Sequence, residues 1–365
     1  MKCIQCGTDN LLRDRTANQG HCKQCRHRFV FEPTTMGTNK ITDGFFAKAI
    51  ADISANNTLY FTLKQLLYLI NQRLDRRISA NLNGLQIGGF ILVGVGVFVV
   101  KPAWFILVPL GIGLIILGST KRFRRKQRIP LRVSASQLQD WLHTWTQING
   151  APEKLLITPR EAQLPTVVSS EVSAYSFDRL VVCESDTIAH LLITNNFHFE
   201  NNCAVLSVKG YPKNIFDTTM EMVRRNPELK VYTLHNCSAQ GIERLHQLRQ
   251  SPKWFLDSNV VIVDVGILPH QVLNAKSSTF IQTSPEAAQA AQQLSPNIRQ
   301  GLSANELKWL DAGNYVELES FTPRKLIQIL NRGIAGSRDL VMDSSDSYIL
   351  MDSGDSSIYA VDSFG

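Results

Sequence analysis

The chain carries four cysteines in the pattern C-x2-C-x15-C-x2-C: Cys3, Cys6, Cys22 and Cys25. A C-x2-C pair forms a tight turn on which two thiolates and the local amides converge on one ion. Two such turns close a tetrahedral four-sulfur zinc site with no position left for water. That chemistry is structural rather than catalytic. A segment of about 30 residues cannot bury enough apolar surface to fold unaided, so zinc binding and folding of a ribbon over 1–33 are expected to be one event. Cys183, Cys203 and Cys237 stand alone and read as small buried filler.

A second group of polar residues follows short β-rich runs in the C-terminal half. Glu184 follows Leu180, Val181, Val182 and Cys183. Lys209, Gly210, Tyr211 and Pro212 follow a run centred on Val205 and Leu206. His235, Asn236, Cys237, Ser238 and Gly241 follow 229–234, and Asp264 follows Val260 to Val263. Helix-like stretches at 187–195, 215–225 and 242–249 alternate with these runs. Near-continuous apolar strands alternating with helices predict a parallel sheet covered on both faces. Ligand groups then gather at the carboxyl ends of the strands. Lys209, Gly210, Asn236, Ser238 and Gly241 are therefore the candidate ligand-binding positions. Gly210 and Gly241 are also where strand-to-helix turns would offer backbone N–H groups to a small phosphorylated ligand.

The strand ending in Glu184, the Lys209-Gly210-Tyr211-Pro212 turn and the polar turn closing on Gly241 resemble the Toprim domain of the topoisomerase VI A subunit and the related meiotic double-strand-break transesterase. Val265-Gly266-Ile267-Leu268-Pro269 is similar to that family's later strand exit, and 302–307 to its next helix start. The likeness covers about 180 to 330. It implies that Glu184 and an Asp-x-Asp pair hold Mg2+ against a scissile phosphate. Asn236 and Ser238 stand at the two Asp positions, so the resemblance is to a degenerate form in which Mg2+ binds poorly; Asp264 and Asp186 are the other carboxylates in reach along the sequence. The family carries its nucleophilic tyrosine on a winged-helix module in a pattern like Arg-x-x-Tyr-Tyr. Residues 61–68 resemble it, with Lys64 for the Arg and Leu67 for the first Tyr, and Tyr68 falls on the reactive position. Tyr68 and Glu184 are thus the candidate catalytic residues.

The elements that must position these groups follow from periodicity. Phe45, Phe46, Ala49, Ile50 and Ile53 recur at helical spacing, as do Leu63, Leu66, Leu67, Ile70 and Leu74, with Thr62 as an N-cap. They outline a helical or winged-helix-like module over 41–80, on which Tyr68 projects away from the apolar stripe and is expected to be exposed. Two apolar runs follow, 84–100 and 102–118, each about 17 residues or about 26 Å of helix, just enough for a bilayer core. Arg73, Arg76 and Arg77 before them and the basic cluster beginning at Lys121 after them predict a two-helix transmembrane hairpin over 82–120 with both flanks cytoplasmic. Leu138, Trp141, Leu142 and Trp145 suggest a helix near the membrane surface. The last segment, 339–365, carries six Asp and no Lys or Arg and reads as an acidic flexible tail.

The expected protein is thus a multidomain α/β integral membrane protein: zinc ribbon, helical module, transmembrane hairpin and a Toprim-like parallel α/β domain over 131–338, with N- and C-termini in the cytoplasm. The N-terminus has no apolar signal segment. Its 44% hydrophobic residues exclude a disordered chain. The formal charge of +7 admits nucleic acid, although seven basic residues lie between Lys121 and Arg132. Three functions compete: a non-catalytic module binding DNA or a protein partner at the membrane, a Mg2+-dependent transesterase or nuclease, and a membrane scaffold or sensor for a small phosphorylated ligand.

Overall fold

The computed structural model describes residues 1–37, 39–77, 112–113, 129–157, 177–226, 228–256, 258, 260–275 and 279–336. The chain divides into two units. The first comprises Met1–Leu156 with Ser277–Ile281 and Glu319–Pro323; the second comprises Ile157–Lys276, Gln282–Leu318 and Arg324–Gly365.

In the first unit, helix α1 (Leu12–Ala17) joins the two cysteine turns. Helix α2 (Asp43–Ile53) starts at Thr42, whose hydroxyl accepts the Phe45 N–H and so satisfies one amide of the first turn. Helix α3 covers 63–77, and Thr62 caps it as its sequence predicts, accepting the Gln65 N–H at 3.1 Å. Helix α4 is Ala135–Asn149. The apolar stripes of α2 and α3 meet Leu138 and Trp145 of α4 in one core. Phe31 enters that core, its ring 5.2 Å from Phe46, 5.9 Å from Trp141 and 6.3 Å from Trp145. The buried Asp43 carboxylate accepts the N–H groups of Val30 and Phe31, each at 3.0 Å. Burial raises its pKa while those two amides pull it down. Val30 and Phe31, at the end of the cysteine segment, are therefore tied to the helical core. Helix α4, expected near a membrane surface, instead completes this core.

The transmembrane hairpin needs correction. Among the described residues no helix is long and apolar enough to cross a membrane. A span needs about 20 mostly apolar residues, whereas α4, at 15 residues, mixes its apolar positions with Gln, Asp and His. On that finding the multidomain membrane fold class, the two membrane spans and the integral membrane localisation with cytoplasmic termini are not supported. Of the expected hairpin over 82–120, all but Ile112 and Gly113 lies outside the described residues, as do the basic cluster after it and the acidic tail.

The second unit contains the parallel sheet that the alternating pattern predicts. Strands β1 (Arg179–Cys183), β2 (Cys203–Ser207), β3 (Lys230–Leu234) and β4 (Val261–Asp264) lie in the order β2-β1-β3-β4, all parallel. β1 is buried through its last four residues and β2 throughout, which is why both read as continuous apolar runs. Leu180, Val182, Leu206 and Val231 from the sheet pack with Phe216, Met220 and Trp254 in the main core. The crossover direction reverses between β1 and β3, and that switch point is where an open α/β sheet leaves a crevice outside its carboxyl edge. Helix α5 (Asp186–Thr194) follows β1, α6 (Phe197–Glu200) precedes β2, α7 (Lys213–Arg225) follows β2, and α8 (Ala239–Gln250) follows β3.

Candidate metal centre and strand-end site

The four N-terminal sulfurs lie within 4.8 Å of one another. Cys3 Sγ is 3.6 Å from Cys25 Sγ, and Cys6 Sγ is 3.6 Å from Cys22 Sγ. A tetrahedron of sulfurs about 2.3 Å from zinc has an edge of about 3.8 Å, so the donor set fits that ion. The separations are too long for disulfides, and all four thiols are free. The two turns share one hydrogen-bonding plan. Gly7 N–H donates to Cys3 O and Cys3 N–H to Thr8 O; Arg26 N–H donates to Cys22 O and Cys22 N–H to His27 O. Gly7 and Arg26 both take positive φ, at 71° and 60°, to close these turns.

Electrostatics also favours a cation here. Burial would raise the Cys22 thiol, but the amides of Cys25 and Gln24 and the Asn10 side chain bring it down to about 6. Cys25 goes the other way. The His27 amide lowers it, yet partial desolvation and the neighbouring sulfurs push it up to about 12. Four converging sulfurs cannot all ionise against one another, and a dication at their centre removes that conflict. The chain thus carries a cysteine cluster able to hold a metal ion such as zinc, with buried Cys3 and Cys22 on the inner side and exposed Cys6 and Cys25 on the outer.

At the switch point, Glu184 leaves β1 as a buried carboxylate. One oxygen accepts the Asn236 N–H at 2.7 Å, and the other accepts the Arg244 guanidinium at 3.0 Å. Asn236, at the end of β3, uses its side-chain oxygen to accept the Leu318 N–H at 2.7 Å. His235 beside it is buried. Its Nδ1 faces the Asn236 carbonyl at 2.8 Å, and its Nε2 lies 3.0 and 3.1 Å from the two Asp264 oxygens. Burial would depress the imidazole, but the hydrogen bond and charge of Asp264 raise its pKa above the usual value. Both ring nitrogens face oxygen acceptors, an arrangement that suits the protonated ring. It fits because two residues lack side chains: a Cβ on Gly266 would sit 2.4 Å from its Cδ2 and Nε2, and one on Gly241 would sit 3.0 Å from Nδ1 and 2.5 Å from the Asn236 carbonyl oxygen.

The remaining expected residues have internal duties. Ser238 caps α8, accepting the Gly241 N–H at 3.0 Å. Ser207 accepts the N–H groups of Lys209 and Tyr211 and donates to Asp186 at 2.5 Å, while Gly210 N–H goes to the Ser207 carbonyl at 2.8 Å. Gly210 holds φ +80°, and a Cβ there would press on Phe216 at 3.2 Å. The amides that a phosphorylated ligand would need at Gly210 and Gly241 are therefore committed within the protein. Lys209 is exposed. Asp186 and Asp264 are likewise engaged, by Ser207 and by His235 with the Gly266 N–H at 2.8 Å. The structure brings Glu184, Asn236, Ser238 and Gly241 together around the β1 and β3 ends.

Tyr68 is in the first unit and is 2% exposed, packed with Ile129 and with the Phe280 ring at 4.8 Å. The expectation of an exposed hydroxyl is corrected: the face of α3 opposite its leucines is covered by a second apolar cluster. The geometry adds Arg244 and His235 to the site residues expected from sequence. A signal for Arg244 was present, since Ser238, Gly241 and Arg244 recur every three residues on the first turns of α8 and so share a face. No family model and no curated protein matches the chain.

Proposed function

We propose that this is a zinc-organised, non-catalytic nucleic-acid-binding protein whose second unit is a degenerate Toprim-type domain. The observation that carries the reading is the surface of the cysteine ribbon. Lys2, Arg13, Lys23, Arg26 and Arg28 are all exposed around the two turns, and residues 1–31 hold six Lys or Arg against two Asp. A metal-fixed turn presents such cations with little freedom to lose, which suits contacts to phosphate rather than to one base sequence. The non-catalytic part draws support from the strand ends. Glu184, Asp186 and Asp264 each have protein donors, and a hard dication needs oxygen ligands that are open to it.

A second reading, a protein partner, draws on α1, which leaves Leu11 and Leu12 53% and 48% exposed. Fluorescence anisotropy of the zinc-loaded full chain with labelled single- and double-stranded DNA and RNA, titrated across salt, separates the two. Binding whose salt slope falls by about two counterions in Arg26→Ala/Arg28→Ala supports the nucleic-acid reading. No binding at low salt to any of them would remove nucleic acid and leave the protein partner.

A further inference from the structure

We infer that Asn10 is a positioning residue of the metal centre, fixing the Cys22 sulfur by bridging the two cysteine turns. Asn10 follows the first turn and is completely buried. Its Nδ2 donates to the Thr8 carbonyl of the first turn at 2.8 Å and reaches the Cys22 sulfur of the second at 3.5 Å. Its Oδ1 accepts the Lys23 N–H at 2.9 Å. One planar amide therefore holds a carbonyl of the first turn, an amide of the second and one of the four metal ligands, and each of its polar atoms has a defined partner.

The backbone of Asn10 is fixed as firmly. Its N–H donates to the Met1 carbonyl at 3.0 Å, and its carbonyl accepts from Arg15 Nη1 at 2.8 Å. Arg15 grips Glu32 with two further bonds, at 2.7 and 3.0 Å. The matching position after the second turn is Phe29, an apolar side chain packed with Cys3 and Cys22. The two turns are alike in backbone and unlike here, and only the first supplies a polar bridge. An N–H donor aimed at a thiolate lowers the energy of the ionised sulfur and sets its direction. Outer partners of this kind are worth about 10- to 100-fold in metal affinity.

The inference rests on the metal centre itself, so the test first measures zinc bound by the unaltered full chain against a chromogenic chelator. A chain that binds no zinc defeats the metal reading before Asn10 is at issue. Given binding, Asn10→Asp and Asn10→Ala are compared with it. Aspartate keeps the shape and the Lys23 contact but turns a carboxylate oxygen toward the Cys22 sulfur and the Thr8 carbonyl. The expected result is an affinity loss of about 10- to 100-fold, larger for Asn10→Asp. At saturating Co2+ both variants should still give the visible absorption of a tetrahedral four-thiolate site. Affinities within about twofold of the unaltered chain would overturn the inference. So would failure of both variants to form that site at saturating metal, because a positioning role leaves the four ligands able to close.

Discussion

The Glu184 carboxylate and the Arg244 guanidinium form an ion pair at 3.0 Å across the switch point of the sheet, joining the end of β1 to the second turn of α8. The glutamate side chain is 8% exposed and the arginine 39%. Arg244→Ala leaves a buried carboxylate held by the Asn236 amide and should cost about 2 to 4 kcal/mol. Denaturant melts of the two chains measure this. Arg244→Ala/Glu184→Gln should recover much of the loss, since the amide removes the uncompensated charge. Millimolar Mg2+ should leave the midpoint of the unaltered chain in place; a marked rise would mean that the cation displaces Arg244.

The His235–Asp264 pair makes stability depend on pH. The folded pKa of His235 is raised, so its contribution is complete below the unfolded value of about 6.5 and is lost as pH rises through the folded value. The charged groups facing it are Asp264 and Glu184, both of which favour the imidazolium. The denaturation midpoint should fall as pH rises above about 6.5, the ordinary imidazole value, and Asp264→Asn should flatten that fall. An equal fall in the variant would show that another group is responsible.

Gly266 is a packing requirement of the same ring. Gly266→Ala places a methyl 2.4 Å from His235 and should destabilise the second unit by about 3 kcal/mol, because the ring is held at both nitrogens and cannot swing aside. Gly150, with nothing within 4 Å of an added Cβ but φ +82°, should lose less on substitution by Ala, about 1 kcal/mol. Thermal melts of the two variants should rank in that order.

Acid should loosen the ribbon through Glu32. The Arg15 hydrogen bonds outweigh burial and hold its pKa down to about 2, so its stabilisation is present above the ordinary carboxylate value of 4.5 and is lost as pH falls from there toward about 2. Arg15→Ala should cost about 2 to 3 kcal/mol at neutral pH and remove that part of the acid dependence. Zinc-loaded protein followed by tryptophan fluorescence reports the change, because Trp145 shares a core with Phe31 next to Glu32.

Tyr68 should behave as core. Tyr68→Ala should lower stability by about 3 to 5 kcal/mol and Tyr68→Phe by about 1 kcal/mol or less. Incubating both proteins with supercoiled DNA and Mg2+ provides the control: strand breaks or covalent adducts from the unaltered chain that vanish in Tyr68→Phe would restore the transesterase.

Local sequence determined whatever depends on spacing along the chain. The two C-x2-C pairs needed only their own turns to present sulfurs, Thr62 needed only the next turn to cap a helix, and alternating apolar runs were enough to announce parallel strands and covering helices. Tertiary structure decided whatever depends on partners far apart in sequence. Strand order placed β1 beside β3, and only that adjacency brings Arg244 to Glu184 and joins the β1 and β3 exits in one crevice. The helical stripe alone left Tyr68 exposed, but Phe280, more than two hundred residues away, covers it. Phe31 reads as the end of a small metal domain, yet it packs with Phe46 and Trp145 because a ribbon with so little apolar surface gains most by burying its last aromatic residue in a neighbouring core. Periodicity shows which face of an element is apolar. Which surface covers that face, and which cation meets a buried carboxylate, depends on long-range packing that no local pattern encodes.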